Sequence, residues 1–313
     1  MNKIEGTAYG YTAVTPKEDE FLTRVGFGSP LGELLRRYWQ PIALSSELQD
    51  LPKLIKILHE NLVVFRDLKG RVGVLDAHCC HRGASLEYGR IEAEGIRCCY
   101  HGWLFDVKGC CLEQPCEPSE SRYKKQVRQP WYPVKEFGGL VFTYMGPPNS
   151  LPEFPYYDIL LRDDVELLAY RNHTRGIVAE CNWLQIQENA VDPMHTFVLH
   201  SSNSGNQFTP AFAMLPNIDF VTTPNSVQYI RNATLPNGNR FHRIGEVFIP
   251  NSRSLPSQTP EGQKLIKEPG RFVGWWVPVD DTHTIGFHIE ALPVNNGKQE
   301  KSVWAEAVPG LSN

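Results

Sequence analysis

Two short clusters of cysteine and histidine flank a glycine-punctuated stretch in CCHRGASLEYGRIEAEGIRCCYHGWLFD, residues 79–106. Counted from the first cysteine of each pair, the spacing is C-x-H-x16-C-x2-H. Thiolate and imidazole are the two side-chain types that bind borderline and soft metals, so the pattern speaks of metal chemistry. Seven of the eight cysteines lie between Cys79 and Cys116, which suggests a metal site more than scattered core thiols do. A structural zinc site also takes two cysteines and two histidines, but zinc fingers and ribbons place a cysteine pair before a histidine pair. Packing alone gives no reason for two polar histidines at matched positions beside Gly83 and Gly102.

One thiolate and one imidazole from each of two loops suit a [2Fe–2S] centre of the Rieske type, in which two cysteines hold one iron and two histidines the other. The glycines let the backbone fold tightly around such a cluster. Imidazole in place of thiolate makes the cluster less negative and raises its potential. Each cluster offers two adjacent cysteines. Cys79 and Cys98 leave one residue before His81 and two before His101, whereas Cys80 directly adjoins His81 and would strain the loop. Cys79, His81, Cys98 and His101 are therefore the expected ligands, with Cys80 and Cys99 as bystanders. Cys110, Cys111 and Cys116 follow Gly109 and read as strand or loop residues.

A second constellation lies in NWLQIQENAVDPMHTFVLH, residues 182–200, which reads as helical. At about 100° per residue, Glu188, Asp192 and His195 share one helix face. His200 stands about 140° from His195 on an ideal helix, so both can meet one metal only if the helix bulges or ends between them. Pro193 and the β-branched Thr196 and Val198 favour such an irregularity. Two histidines with one carboxylate form the facial triad of non-haem Fe(II), which leaves positions open for O2.

The elements that must position these residues are mostly strands. Residues 62–65 and 72–75 form a hairpin turning at Gly70, and 138–146 is a further β-rich run closed by two prolines. PLGELLRRYWQ, residues 30–40, reads as a short helix, and the proline-rich 147–158 as a crossing between domains. SVQYIRNATL, RFHRIGEVFI and RFVGWWVPVDDTHTIGFHIEAL read as strands, the last as a hairpin turning at residues 280–282. The expected fold is α+β: an N-terminal helical segment over residues 1–39, an all-β [2Fe–2S] domain over 40–150, and a helix over an antiparallel sheet in 151–313.

Composition narrows the partners. The chain has 313 residues, 41% hydrophobic and 21% charged, with a net charge of −4. A pI near 6.2 and scattered basic residues give no face for nucleic acid. No apolar run approaches a membrane span, and the first residues lack the apolar core of a secretory signal. The expected setting is a reducing one, the cytoplasm, in which the cysteines form no disulfide framework.

Taken together, these motifs resemble the oxygenase α subunit of the Rieske non-haem iron oxygenases, in the phthalate 4,5-dioxygenase-like branch. The resemblance begins at FLTRVGFGSPLGELLRRYWQPIAL, runs through both metal motifs and reaches GWWVPVDDTHTIGFH, most of the chain. It implies that Cys79, His81, Cys98 and His101 bind the [2Fe–2S] cluster, and that His195 and His200 bind Fe(II). Asp192 would bridge a cluster histidine of one subunit and an iron-ligand histidine of its neighbour in a homotrimer. Electrons would come from NAD(P)H through a separate reductase, and oxygen from O2 would enter an aromatic substrate, with or without a carboxylate, by dihydroxylation or oxidative demethylation. The family's third iron ligand, usually aspartate, stands far downstream of the second histidine. Asp219, Glu246, Asp280, Asp281, Glu290, Glu300 and Glu306 follow His200, none in the expected context, so the catalytic part is expected to be truncated. Asp280 and Asp281 read as turn residues. The competing expectation is an electron-transfer protein with an incomplete, inactive iron site; a third is a zinc-bound regulatory module. Walls of a substrate pocket are expected from residues 208–220 and the strands after Tyr229, while Arg240 and Arg243 are expected mainly at the surface, with a substrate carboxylate as their other use.

Overall fold

A computed structural model describes residues 17–172, 178–199, 214–234, 238, 240–256, 270–295 and 298–299. Two short helices, α1 (Glu20–Thr23) and α2 (Pro30–Arg36), come first among the described residues. Ser29 caps α2 by accepting from Gly32 N, and Pro30 occupies the first turn, where its missing N–H costs nothing. Ten strands follow: β1 (Gln40–Leu44), β2 (Lys53–Ile57), β3 (Glu60–Arg66), β4 (Val72–Asp76), β5 (Arg90–Glu92), β6 (Gly95–Arg97), β7 (Leu104–Phe105), β8 (Cys111–Glu113), β9 (Val134–Phe137) and β10 (Leu140–Thr143). They form three small antiparallel sheets, ordered β1-β10-β9, β2-β3-β4 and β5-β6-β7-β8. The expected hairpin is β3–β4, pairing Leu62 with Asp76, and Gly70 turns it at φ +83°.

The second half is built on one antiparallel sheet of eight strands. These are β11 (Val165–Arg171), β12 (Asn217–Thr222), β13 (Ser226–Thr234), β14 (Arg240–Phe248), β15 (Ser252–Pro256), β16 (Gly270–Pro278), β17 (Thr284–Asn295) and β18 (Lys298–Gln299). The order is β11-β17-β16-β15-β14-β13-β12, with β18 pairing β17. The β16–β17 hairpin turns where expected, with Pro278 opposite Thr284. Alternation gives the sheet two unlike faces. Val273, Trp275, Val277, Ile285, Phe287, Ile289 and Ala291 point one way, into a core shared with Val64, Val141 and Phe142 from the first half. Residues 147–158 contribute to that seam: the Phe154 ring lies 5.0 Å from Phe142, and Tyr157 lies 5.8 Å from Trp275.

The helical stretch is interrupted. Helix α3 (Trp183–Ala190), capped by Asn182 accepting from Leu184 N, buries Trp183, Gln187 and Ala190. It ends before Pro193, and α4 (Met194–Val198) starts afresh. Proline has no N–H to continue the ladder, which explains the break. Glu188, Asp192 and His195 therefore do not share one continuous helix face; Asp192 sits in the break. His200, Phe208, Glu300 and Glu306 lie outside the described residues.

Candidate metal centres and the sheet face beside them

The two cysteine–histidine loops are conformational twins. In residues 79–84, Cys79 N donates to Ala84 O at 2.8 Å and Gly83 N to Cys79 O at 2.8 Å. In residues 98–103, Cys98 N donates to Trp103 O at 2.9 Å and Gly102 N to Cys98 O at 3.1 Å. Gly83 and Gly102 take φ +70° and +72°, the left-handed region that glycine enters without a Cβ penalty. Cys79 and Cys98 are buried over Val63, Phe65, Ile96 and Phe105, whereas Cys80 and Cys99 are exposed. Each buried thiol bears electrostatically on the other, and Cys79 interacts with its neighbour Cys80 as well. Above them the His81 and His101 rings are 4.6 Å apart, and His81 stacks on Trp103 at 4.2 Å and 5°. Cys111 is buried in β8, and Cys110 and Cys116 are exposed.

Among the described residues, no three His, Cys, Asp or Glu side chains converge to hold a single ion. A tetrahedral zinc needs four donors around one point. A di-iron cluster with inorganic sulfides asks for two protein donors per iron, a thiol pair and an imidazole pair. The donors present fit the cluster.

Two residues that the motif reading missed hold the loops. Gln129 is fully buried; its Oε1 accepts from Cys80 N at 2.7 Å, and its Nε2 donates to Asp76 O at 2.9 Å and His78 O at 2.8 Å. Arg97 donates to Gly102 O at 2.6 Å and pairs with Glu92 and Glu113. These bonds hold the Glu92 carboxyl down at about 2, against the burial that would raise it, with Arg97 the largest cause. Gln129 has no signal in the sequence, while Arg97 adjoins the second loop.

At the helix break, Asp192 is half-exposed, and its carboxylate lies 3.5 Å from His195 Nδ1 while accepting from Met194 N at 2.8 Å. Arg231 ties α4 to the sheet, donating to Thr196 Oγ1 at 2.5 Å and to Met214 O at 3.1 Å. Arg243, expected at the surface, is buried opposite Arg231 in the β13–β14 register; Arg240 is exposed. Strand alternation explains the difference, because residues 240 and 243 point to opposite faces. Burial pushes the Arg231 guanidinium down to about 10, with the Arg243 charge adding to it. Of the expected pocket walls, Tyr229 is buried and Phe220 exposed.

The downstream carboxylates have other engagements. Glu246 accepts from Ser226 and Gln228, and Asp219 from Asn232. Asp280 binds Lys56 and Thr282, while Asp281 binds Arg24, His59 and Val25 N, tying the β16–β17 turn to the start of the chain. Both are turn residues, as their sequence context suggested. Glu290 is buried on β17.

The Rieske [2Fe-2S] domain family matches residues 38–137. The chain is 45% identical to the phenoxybenzoate dioxygenase subunit alpha of Ectopseudomonas oleovorans, over 96% of this chain and 75% of that protein. It is 42% identical to the tert-butanol monooxygenase / tert-amyl alcohol desaturase oxygenase subunit of Aquincola tertiaricarbonis, over 95% of this chain and 67% of that protein. A crystal structure of dicamba monooxygenase bound to dicamba superposes with a TM-score of 0.67 at 21% identity, covering 82% of this chain and 77% of that one, a likeness of fold.

Proposed function

Because the chain belongs to the Rieske non-haem iron oxygenases, as a terminal oxygenase working with a [2Fe–2S] cluster, Fe(II) and a reductase, we propose that Cys79, His81, Cys98 and His101 hold the cluster and that His195 and His200 hold the iron. The matched loops carry this reading, with their buried thiol pair and apposed imidazole pair. When bound, the cluster supplies one-electron relay and the Fe(II) supplies O2 activation. The chain's own residues do the positioning. The Trp103 ring fixes the plane of His81, and Gln129 and Arg97 pin one loop each. In the same proposal Asp192, its carboxylate 3.5 Å from His195 Nδ1, would draw the proton to that nitrogen and leave Nε2 for a metal, the role of a carboxylate behind a ligating histidine.

The division at residues 40–150 and 151–313 belongs to the same proposal, supported by the sheet boundaries. So does a homotrimer, supported by the half-exposed Asp192 carboxylate beside His195, which is open to a partner's group. A cytoplasmic setting is supported by eight cysteines that are all free thiols; among the described residues no helix is long and apolar enough to cross a membrane. The proposed substrate is an aromatic compound, as the name phenoxybenzoate dioxygenase suggests for one relative.

The ligand assignment is tested by serine substitution at all four loop cysteines. Cys79→Ser and Cys98→Ser should abolish the visible absorption and reduced-state EPR signal of the cluster, and Cys80→Ser and Cys99→Ser should retain both. The opposite pattern refutes the assignment. Sedimentation analysis giving a monomer at micromolar concentration would refute the trimer.

A further inference from the structure

A cleft of about 550 Å³ opens where residues 156–162 pass beside strands β14 and β15. Strand register says which side of the sheet it occupies. Glu246 pairs with Ser254 and Ser254 with Val273; Phe248 pairs with Ser252 and Ser252 with Trp275. All four therefore share the face of Val273 and Trp275, which is the core side. Arg243, three residues before Glu246, faces the other way, opposite Arg231, which holds α4. The cleft thus lies across the sheet from the α4 segment that carries His195.

Its walls are aromatic. The Tyr157 hydroxyl is held by Ser252 Oγ at 3.0 Å, and the Tyr157 ring meets Phe248 at 5.5 Å and 67°. Two rings at that angle make a corner, and Tyr156, half-exposed, adds a third ring to the lining. Aromatic corners of this kind attract a cation to the negative ring faces.

The polar lining is acidic where it is unengaged. Glu246 uses one oxygen, Oε1, to accept from Ser226 Oγ at 2.5 Å and Gln228 Nε2 at 3.0 Å. Its Oε2, the Asp158 carboxylate and Ser254 Oγ make no hydrogen bond among the described residues. Arg162, the cation of the lining, donates to both Asp164 oxygens, at 2.9 and 2.5 Å. An anion entering here would meet two carboxylates and a guanidinium already engaged. A cation would meet two carboxylates, a hydroxyl and three rings.

We propose that the cleft binds a small primary ammonium with an apolar body. Its N–H groups go to Glu246 Oε2, Asp158 and Ser254 Oγ, and its body lies against Tyr156, Tyr157 and Phe248. Three acceptors match the three donors of a primary ammonium, which a quaternary ammonium lacks. The occupant is a second ligand and not the substrate of the iron site, so the inference stands apart from the oxygenase reading. Tyr156 and Tyr157 belong to the crossing between the two halves, and the bound amine ties that crossing to the sheet.

The test is calorimetric titration of the full chain with benzylammonium chloride, neutral benzyl alcohol and tetramethylammonium chloride. Wild-type protein should bind benzylammonium at least roughly tenfold more tightly than either of the others. Asp158→Asn, at an exposed position with no hydrogen bond to lose, should weaken benzylammonium about three- to tenfold, and Glu246→Gln about tenfold. The double variant should lose roughly thirty- to hundredfold, with benzyl alcohol within about twofold throughout. No preference for benzylammonium in the wild type, tetramethylammonium bound as tightly, or a double variant within about twofold of wild type overturns the site. Where far-UV circular dichroism shows Glu246→Gln unfolded, Asp158→Asn decides alone: a loss of about threefold or more supports the site, and a smaller one overturns it.

Discussion

Replacing Gln129 by leucine should loosen the first cluster loop without touching any proposed ligand. The amide makes three hydrogen bonds, to Cys80 N, Asp76 O and His78 O, from a fully buried position. Each such bond is worth about 1 kcal/mol net, and stranding its buried partners adds to the loss, so the substitution should cost about 3–5 kcal/mol. Leucine is close in volume, which keeps the cavity contribution small. Were the whole cost borne by local opening of residues 79–84, that opening would become roughly a hundred- to several-thousandfold more frequent. The peptide behind Gln129 cannot compensate, because its N–H is already bonded to Gly109 O at 2.8 Å. Approach there is so close that a Cβ on Gly109 would lie 2.0 Å from Gln129 O. Decay of the visible cluster absorption in the presence of an iron chelator measures the opening directly, and urea unfolding followed by far-UV circular dichroism measures the global cost. Gln129→Glu should also be damaging, since it keeps the acceptor for Cys80 N but turns a carboxylate oxygen on two carbonyls. A leucine variant with wild-type iron and sulfide content, releasing iron within about twofold of the wild-type rate, would refute the reasoning.

Other consequences follow from the same geometry. Gly83→Ala and Gly102→Ala should each cost about 1–2 kcal/mol for a left-handed residue with a Cβ, read as lower urea midpoints. The second should cost more, because its Cβ would also press Pro115 Cγ at 3.3 Å, while the first meets open space. Arg231→Met, which unties α4 from the sheet, should lower Fe(II) retention at least roughly tenfold, measured by metal analysis after dialysis, with the cluster spectrum unchanged. Asp280 and Asp281 are both held below the usual aspartate range: burial pushes each upward and is outweighed by bonds from Lys56, His283 and Thr282 to the first, and from Val25 N, His59 and Arg24 to the second. A depressed carboxyl stabilises fully above its unfolded value of about 4 and loses that contribution as pH falls through the folded value. The gap in urea midpoint between wild type and the Asp280→Asn/Asp281→Asn double variant should therefore be flat from about pH 8 to about pH 5 and close below about pH 4.

The features legible in the sequence are those decided within a few residues of chain. Cys79 and His81, or Cys98 and His101, are held together by their own loop, so spacing and a glycine sufficed to single out four residues that the fold then buries or stacks together. The β16–β17 hairpin, turning on Asp280 and Asp281, and helix α2, opened by Ser29 and Pro30, are local in the same sense. The helix break at Pro193 was half legible: proline chemistry announced it, but treating residues 182–200 as one helix put Glu188 and Asp192 on a common face that the break removes. Arg243 was misplaced because one strand's pattern does not say which of its faces a neighbouring layer covers; that is settled when β13 and β14 pair and the sheet packs. Gln129 reaches back across 49 residues to Cys80, a contact that only the folded chain creates. Chain connectivity brings a metal loop's donors together wherever the loop sits; the buried amide that pins the first loop comes from 49 residues away and reaches it only because the folded chain sets the two segments side by side and excludes water between them.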